Sequence, residues 1–183
     1  LQIFEQRYLD LVAHCMRESE GFGVVWLQRG SEVSGGSLDT PNVGEYGTYA
    51  RIVDWDQLPN GLLGITIEGH EPFDVRSVWQ EPSGLVKAKV EWRDIPETMR
   101  LPDHHASLAE VLGGLLRHPQ IQRLQLDSDL TDGWRVGAQL AQLLPIDEGL
   151  KYQLQGLTSV EQLLEEMDNI LLELSGESGQ TGR

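Results

Sequence analysis

The chain has 183 residues, 39% of them hydrophobic, with mean hydropathy -0.31, which is enough for one sizeable domain or two small ones around a real core. Fourteen basic against 29 acidic side chains give a net charge of -15, spread evenly: residues 1–100 carry 9 basic and 16 acidic groups and residues 101–183 carry 5 and 13. An acidic surface repels phosphates, which sets aside DNA, RNA and anionic membranes as main partners. No apolar run is long enough to span a bilayer and no leader peptide is visible. Cys15 is the only cysteine, so an internal disulfide is impossible and a reducing, cytoplasmic setting is expected.

In chain order, "LQIFEQRYLDLVAHCM" repeats Phe4, Tyr8, Leu11, Val12 and Cys15 at spacings of three and four, which predicts an amphipathic helix with Cys15 on its apolar face. Leu1 to Ile3 read as the tail of an earlier extended element, so the chain is expected to have been cut from something longer. "VVWLQ" predicts a strand, and "RGSEVSGGSLDTPNVGEYG" a Gly/Ser-rich loop. "TYARIVDWDQL" and "LLGITIEG" flank Pro59-Asn60-Gly61, whose Asn-Gly pair supplies positive φ for an antiparallel hairpin. "EPFDVRSVWQ" reads as a further strand, with Pro72 at its start or on a sheet edge. After "EPSG", "LVKAKVEW" alternates Val86, Ala88, Val90 and Trp92 with Lys87, Lys89 and Glu91, the mark of a half-buried strand. Residues 1–100 therefore form a β-rich unit with one helix, favouring a small barrel or closed sheet.

Two prolines and a polar stretch then make a linker, and residues 101–175 turn helical. Leu108, Val111, Leu112, Leu115 and Leu116 form one apolar face. Trp134 to Pro145 and Asp147 to Gln155 give two more helices. "TSVEQLLEEMDNILLEL" gives the best, opened by a Thr158/Glu161 capping box. Residues 176–183 read as a disordered tail.

Chemistry leaves residue types behind, and few are here. There is no Walker-type phosphate loop, no G-x-S-x-G elbow and no cofactor motif. A serine–lysine dyad needs a buried lysine, yet Lys87, Lys89 and Lys151 all fall on polar positions. No catalytic set is therefore assigned. Asp103, His104 and His105 are the only polar cluster that suggests a metal. Adjacent histidines on a regular element point apart, so linker or helix-start residues is the simpler reading and no metal is assigned. Among the tryptophans, Trp26 and Trp92 alternate with apolar neighbours and are expected in the core, whereas Trp55 beside a turn and Trp79 near a strand end are candidates for a contact surface.

Taken together, "LQIFEQRYLDLV", "FGVV", "VGEYGTYARIVDWDQLPNGLLGITIEG" with "FDV" after it, and "VGAQLAQLLPIDEGLKYQLQGLTSVEQLLEEM" resemble the N-terminal substrate-binding domain of the ATP-dependent Lon protease, and more closely the small stand-alone bacterial proteins built from it. The family's first strand and Phe-Pro-Gly turn are absent ahead of Leu1, and Pro72 stands where the family commonly has arginine. The resemblance implies an α+β fold, a PUA-like antiparallel β pseudo-barrel followed by a C-terminal α-helical bundle. It implies a non-catalytic module that binds unfolded or apolar polypeptide segments, an adaptor or quality-control factor that works with a separate ATPase or protease. Trp55, Phe73 and Trp79 are then the candidate peptide-binding residues. Two alternatives stay open: a small-ligand or metal-dependent protein using the barrel mouth, and a structural protein that forms a homo-oligomer through its last helix.

Overall fold

The structure, a computed structural model, describes residues 1–27, 42–95 and 97–178. Residue 28 of the expected strand, residues 29–41 of the Gly/Ser-rich loop, residue 96 of the linker and the last five residues of the expected tail lie outside them. Two compact units, Leu1–Ile95 and Pro96–Arg183, divide the chain, and the fold is α+β with an antiparallel sheet and several helices.

In the first unit, β1 (Gln2–Ile3) is followed by α1 (Gln6–Glu18), β2 (Phe22–Leu27), β3 (Val43–Gln57), β4 (Leu63–Gln80) and β5 (Val86–Trp92). The sheet runs β1-β4-β3-β2, with β5 also on β4, and every pairing is antiparallel. β4 is thus shared by three neighbours: β1 meets its first residues, β5 its second half, and β3 runs along its other side.

The two hairpins are closed by one design used twice. In Leu58–Leu62 and in Glu81–Leu85 the first residue accepts a hydrogen bond from the glycine N–H (Gly61 to Leu58 and Gly84 to Glu81, both 2.8 Å). Only the glycines take positive φ, 82° at Gly61 and 84° at Gly84. Proline leads each turn and glycine ends it in the left-handed region, as in a three-residue hairpin loop. The hairpin at Asn60-Gly61 is therefore as expected, but Asn60 does not share the positive φ.

Three sequence expectations need correction. β3 begins at Val43, inside the supposed loop; Gly47 is required there, because an added Cβ would run into the Val24 carbonyl and come within 2.9 Å of the Phe73 ring. "LLGITIEG" and "EPFDVRSVWQ" are one strand, not two. Pro72 sits inside it, next to a register shift where two steps on β3 (Thr48 to Ala50) face three on β4 (Pro72 to Gly69). A bulge removes the need for a ladder donor, which is how proline survives away from an edge.

The second unit contains a 3-10 turn (Asp103–His105), α2 (Ala106–Leu116), α3 (Pro119–Gln122), α4 (Gly133–Leu143), α5 (Glu148–Gln155) and α6 (Val160–Ser178). The starts of α4, α5 and α6 are capped by side chains. Asp132 Oδ1 accepts from the Trp134 and Arg135 N–H groups, and Asp147 Oδ1 from those of Gly149 and Leu150. For α6 the cap is Ser159, whose Oγ accepts from Gln162 N–H at 3.4 Å, one residue later than the expected Thr158. Leu108, Leu112, Val136, Leu140, Leu163, Leu164 and Met167 make one fully buried cluster. α4 lies close on α6 because position 137 is glycine; a Cβ there would meet the Leu163 side chain at 2.8 Å. Among the described residues no helix is long and apolar enough to cross a membrane.

Candidate functional site

The cores of the two units differ in depth. In the first, the buried apolar residues are Val12, Cys15, Ala50, Ile65 and Phe73, while Met16, Val24, Val53, Trp55, Trp79 and Trp92 stay exposed. A thin core beside so much uncovered apolar surface points to a surface that meets something.

One place gathers these side chains into a concavity. The end of α1 contributes Cys15, Met16, Ser19 and Glu20, and β3 contributes Arg51 to Trp55, enclosing a groove of about 390 Å³. Local sequence fixes both walls. α1 stops because Ser19 turns left-handed (φ 57°, ψ 35°), with its N–H on the Cys15 carbonyl. Gly21 N–H then donates to Tyr49 Oη at 2.6 Å, tying the turn to β3. On the other wall the register shifts between Ile52 and Asp54, so that Val53 is an extra residue in β3. A bulge re-aims the side chains around it, and Val53 (53% exposed) and Trp55 (58%) both line the groove with Met16 (44%).

The groove's charges are Glu20, Asp54 and Arg51. Arg51 stands 5.9 Å over the Tyr49 ring. His14 Nε2 is 3.7 Å from Glu20. Asp54 Oδ1 accepts from the Trp55 N–H at 2.9 Å. Cys15, as expected, is core: it is 2% exposed and its thiol points to the Gly21 carbonyl at 3.5 Å. Burial, and secondarily the Glu20 carboxylate, push its pKa above 9.0. The folded chain therefore keeps the thiol proton to higher pH than the unfolded chain, and this contribution to stability, complete below about pH 9, is lost as pH rises through the folded value. Only the thiolate attacks a disulfide reagent. Titrated with such a reagent at pH 8, the native protein is expected to react at least tenfold more slowly than protein in denaturant; equal rates would mean that the thiol is open.

The three candidate peptide-binding residues do not converge. Trp55 pairs with Ile65 near the start of β4, whereas Trp79 is penultimate in β4, opposite Lys87. Phe73 is 3% exposed, its ring packed over Gly23 and Gly47 and edge-to-face with Trp92 at 6.0 Å. It is a core side chain with no surface to offer. Trp92 and Trp26, expected in the core, are instead 58% and 36% exposed, because their strands present that face to solvent; Trp92 keeps edge contacts to Tyr49 and Phe73. Met16 and Val53 were not singled out by sequence. A helix end and a bulge bring them to the groove, and neither announces itself in residue type.

The histidine pair turns out to be architectural. His105 is 4% exposed and its Nδ1 lies 2.5 Å from Asp168 Oδ2 on α6, pinning the start of α2 to the last helix, while the His104 ring lies against it, tilted by 45° with centroids 4.1 Å apart. Among the described residues no group of three or more His, Cys, Asp or Glu is placed to hold a metal.

Comparison with known proteins places this geometry. The family model described as the ATP-dependent protease La (LON) substrate-binding domain matches residues 1–172. A Lon N-terminal domain protein from Xanthomonas campestris is 32% identical with a TM-score of 0.73, over 91% of this chain and 85% of that one. The N-terminal domain of a Lon protease from the Mycobacterium avium complex is similar in fold, with a TM-score of 0.56 at 14% identity, over 92% and 86% of the two chains. No curated protein matches the chain.

Proposed function

The chain belongs to the Lon substrate-binding-domain family, and from that premise we propose that it is a polypeptide-binding module that holds exposed apolar segments of unfolded chains in the groove between α1 and β3. The observation that carries this reading is the uncovered apolar set Met16, Val53 and Trp55 lining one concavity from its two walls. Tryptophan is over-represented among residues that dominate binding energy, since it brings large area with few rotatable bonds. An unfolded segment supplies the apolar side chains that a folded surface hides.

In this reading the first unit is a PUA-like pseudo-barrel, the second a helical bundle, and the module acts in the cytoplasm as an adaptor or quality-control factor for a separate ATPase or protease. Trp79, remote from the groove along β4, is a second contact point of the same kind. The family's substrate-binding role supports the capture step; the adaptor role rests on that step alone.

The test is fluorescence anisotropy of a labelled, permanently unfolded protein titrated with this chain, beside the folded form of the same probe. Micromolar binding to the unfolded probe only, weakened about tenfold or more by Trp55→Ala, is the expected result. Absence of binding to the unfolded probe would remove the proposal. Binding that Trp55→Ala leaves intact would move the site away from the groove.

A further inference from the structure

The α1/β3 groove has a charge preference as well as an apolar wall, and it rests on the capture reading above. Among the described residues, Glu20 and Asp54 line the concavity against one cation, Arg51, whose guanidinium already faces the Tyr49 ring. α1 delivers its C-terminal end to the same place, since Cys15, Met16 and the cap residue Ser19 are lining residues. The C-terminus of a helix carries partial negative charge and favours cations. Trp55 lines the same concavity, 58% exposed, and an indole face is the best aromatic partner for an ammonium or guanidinium. His14 on α1 approaches the Glu20 carboxylate, Nε2 to Oε2, at 3.7 Å. The net charge of -15 also favours the approach of cationic partners at long range.

We propose that the groove selects extended apolar segments that carry a lysine or arginine, the cationic head lying over Trp55 between Glu20 and Asp54 while neighbouring apolar side chains cover Met16 and Val53. The occupant is thus a basic-apolar stretch of an unfolded polypeptide, of the kind that a folded protein covers with its own acidic groups. An acidic-apolar stretch meets two carboxylates and a helix C-terminus, and is disfavoured.

The test compares a labelled short apolar peptide bearing one central Lys with the same peptide bearing Gln or Glu, by anisotropy, on the full chain. At low salt the Lys peptide is expected to bind about fivefold more tightly than the Gln peptide, and the Glu peptide more weakly than either. At about 1 M salt, where screening acts within ~3 Å, the difference contracts. In the double variant Glu20→Gln/Asp54→Asn the Lys-to-Gln ratio falls toward one; Asn at 54 keeps a carbonyl oxygen that can accept from the Trp55 N–H. Equal binding of all three peptides to the unaltered chain overturns the charge preference and leaves polypeptide capture standing. Binding of none of them, with the unfolded protein also unbound, removes both. A preference that survives the double variant places the cation elsewhere. Concentration-dependent sedimentation that Trp55→Ala abolishes, without peptide binding, gives the groove to a second copy of the chain and also overturns the proposal.

Discussion

Phe73→Ala is expected to destabilise the first unit by about 3–5 kcal/mol, the range for emptying a buried aromatic site. At roughly 4–8 °C per kcal/mol for a unit of this size, its thermal midpoint should drop by about 15 °C or more. The cost is high because nothing can collapse into the space: the ring is covered by the backbones at Gly23 and Gly47, which have no side chains to swing in, and by the edge of Trp92. Phe73→Leu, which keeps most of the volume, should cost about 1 kcal/mol. Thermal unfolding followed by near-ultraviolet circular dichroism reads both variants. A normal midpoint for Phe73→Ala together with weakened binding of unfolded chains would return this residue to the contact surface.

Leu164→Ala carries the matching expectation for the helical unit, about 3–5 kcal/mol. Leu164 is fully buried, and its branches fill the space above Gly133 and Gly137 where α4 approaches α6. Removing them strips contacts from two helices at once. Loss of helical signal at lower denaturant in far-ultraviolet circular dichroism checks it. Leu172→Ala on the same helix is the control: Leu172 is 69% exposed, and its truncation should change stability by less than about 0.5 kcal/mol. Equal effects from the two would mean that α6 packs on a different face.

The helices and turns were legible because their causes are local. A 3.6-residue apolar repeat marks α2, α4 and α6, and proline followed by a left-handed glycine two residues later marks both hairpins. The sheet was legible in outline only. Alternation along β5 shows that Val90 and Trp92 share a face, but not that this face is left open at Trp92; coverage is decided by distant elements that alternation does not encode. Gly69 looked like the end of one strand and Pro72 like the start or edge of the next because propensity cannot distinguish an interruption from a bulge, and only the register against β3 settles it. The groove was half visible. Trp55 stood out by type and position, whereas Met16 and Val53 are ordinary residues until a helix cap and an extra residue in a strand bring them together. The burial of Phe73 was hidden for a related reason: on its β3 side the ring lies over Gly47 and Gly23, which offer it a bed that no hydrophobic pattern reveals.

The shared strand β4 also imposes an order of assembly. Its pairings with β3 and β5 are hairpins closed by the short turns Leu58–Leu62 and Glu81–Leu85, local contacts of the kind that form on microsecond timescales. β1 reaches the same strand only by joining Gln2 to Gly64 and Ile3 to Leu63, and so long a loop must be closed at an entropic cost before any contact rewards it. Contact separation therefore favours the three-stranded meander forming before β1 and α1 dock on it, and in pulse-labelling hydrogen exchange the amides of β3 to β5 are expected to gain protection before those of α1.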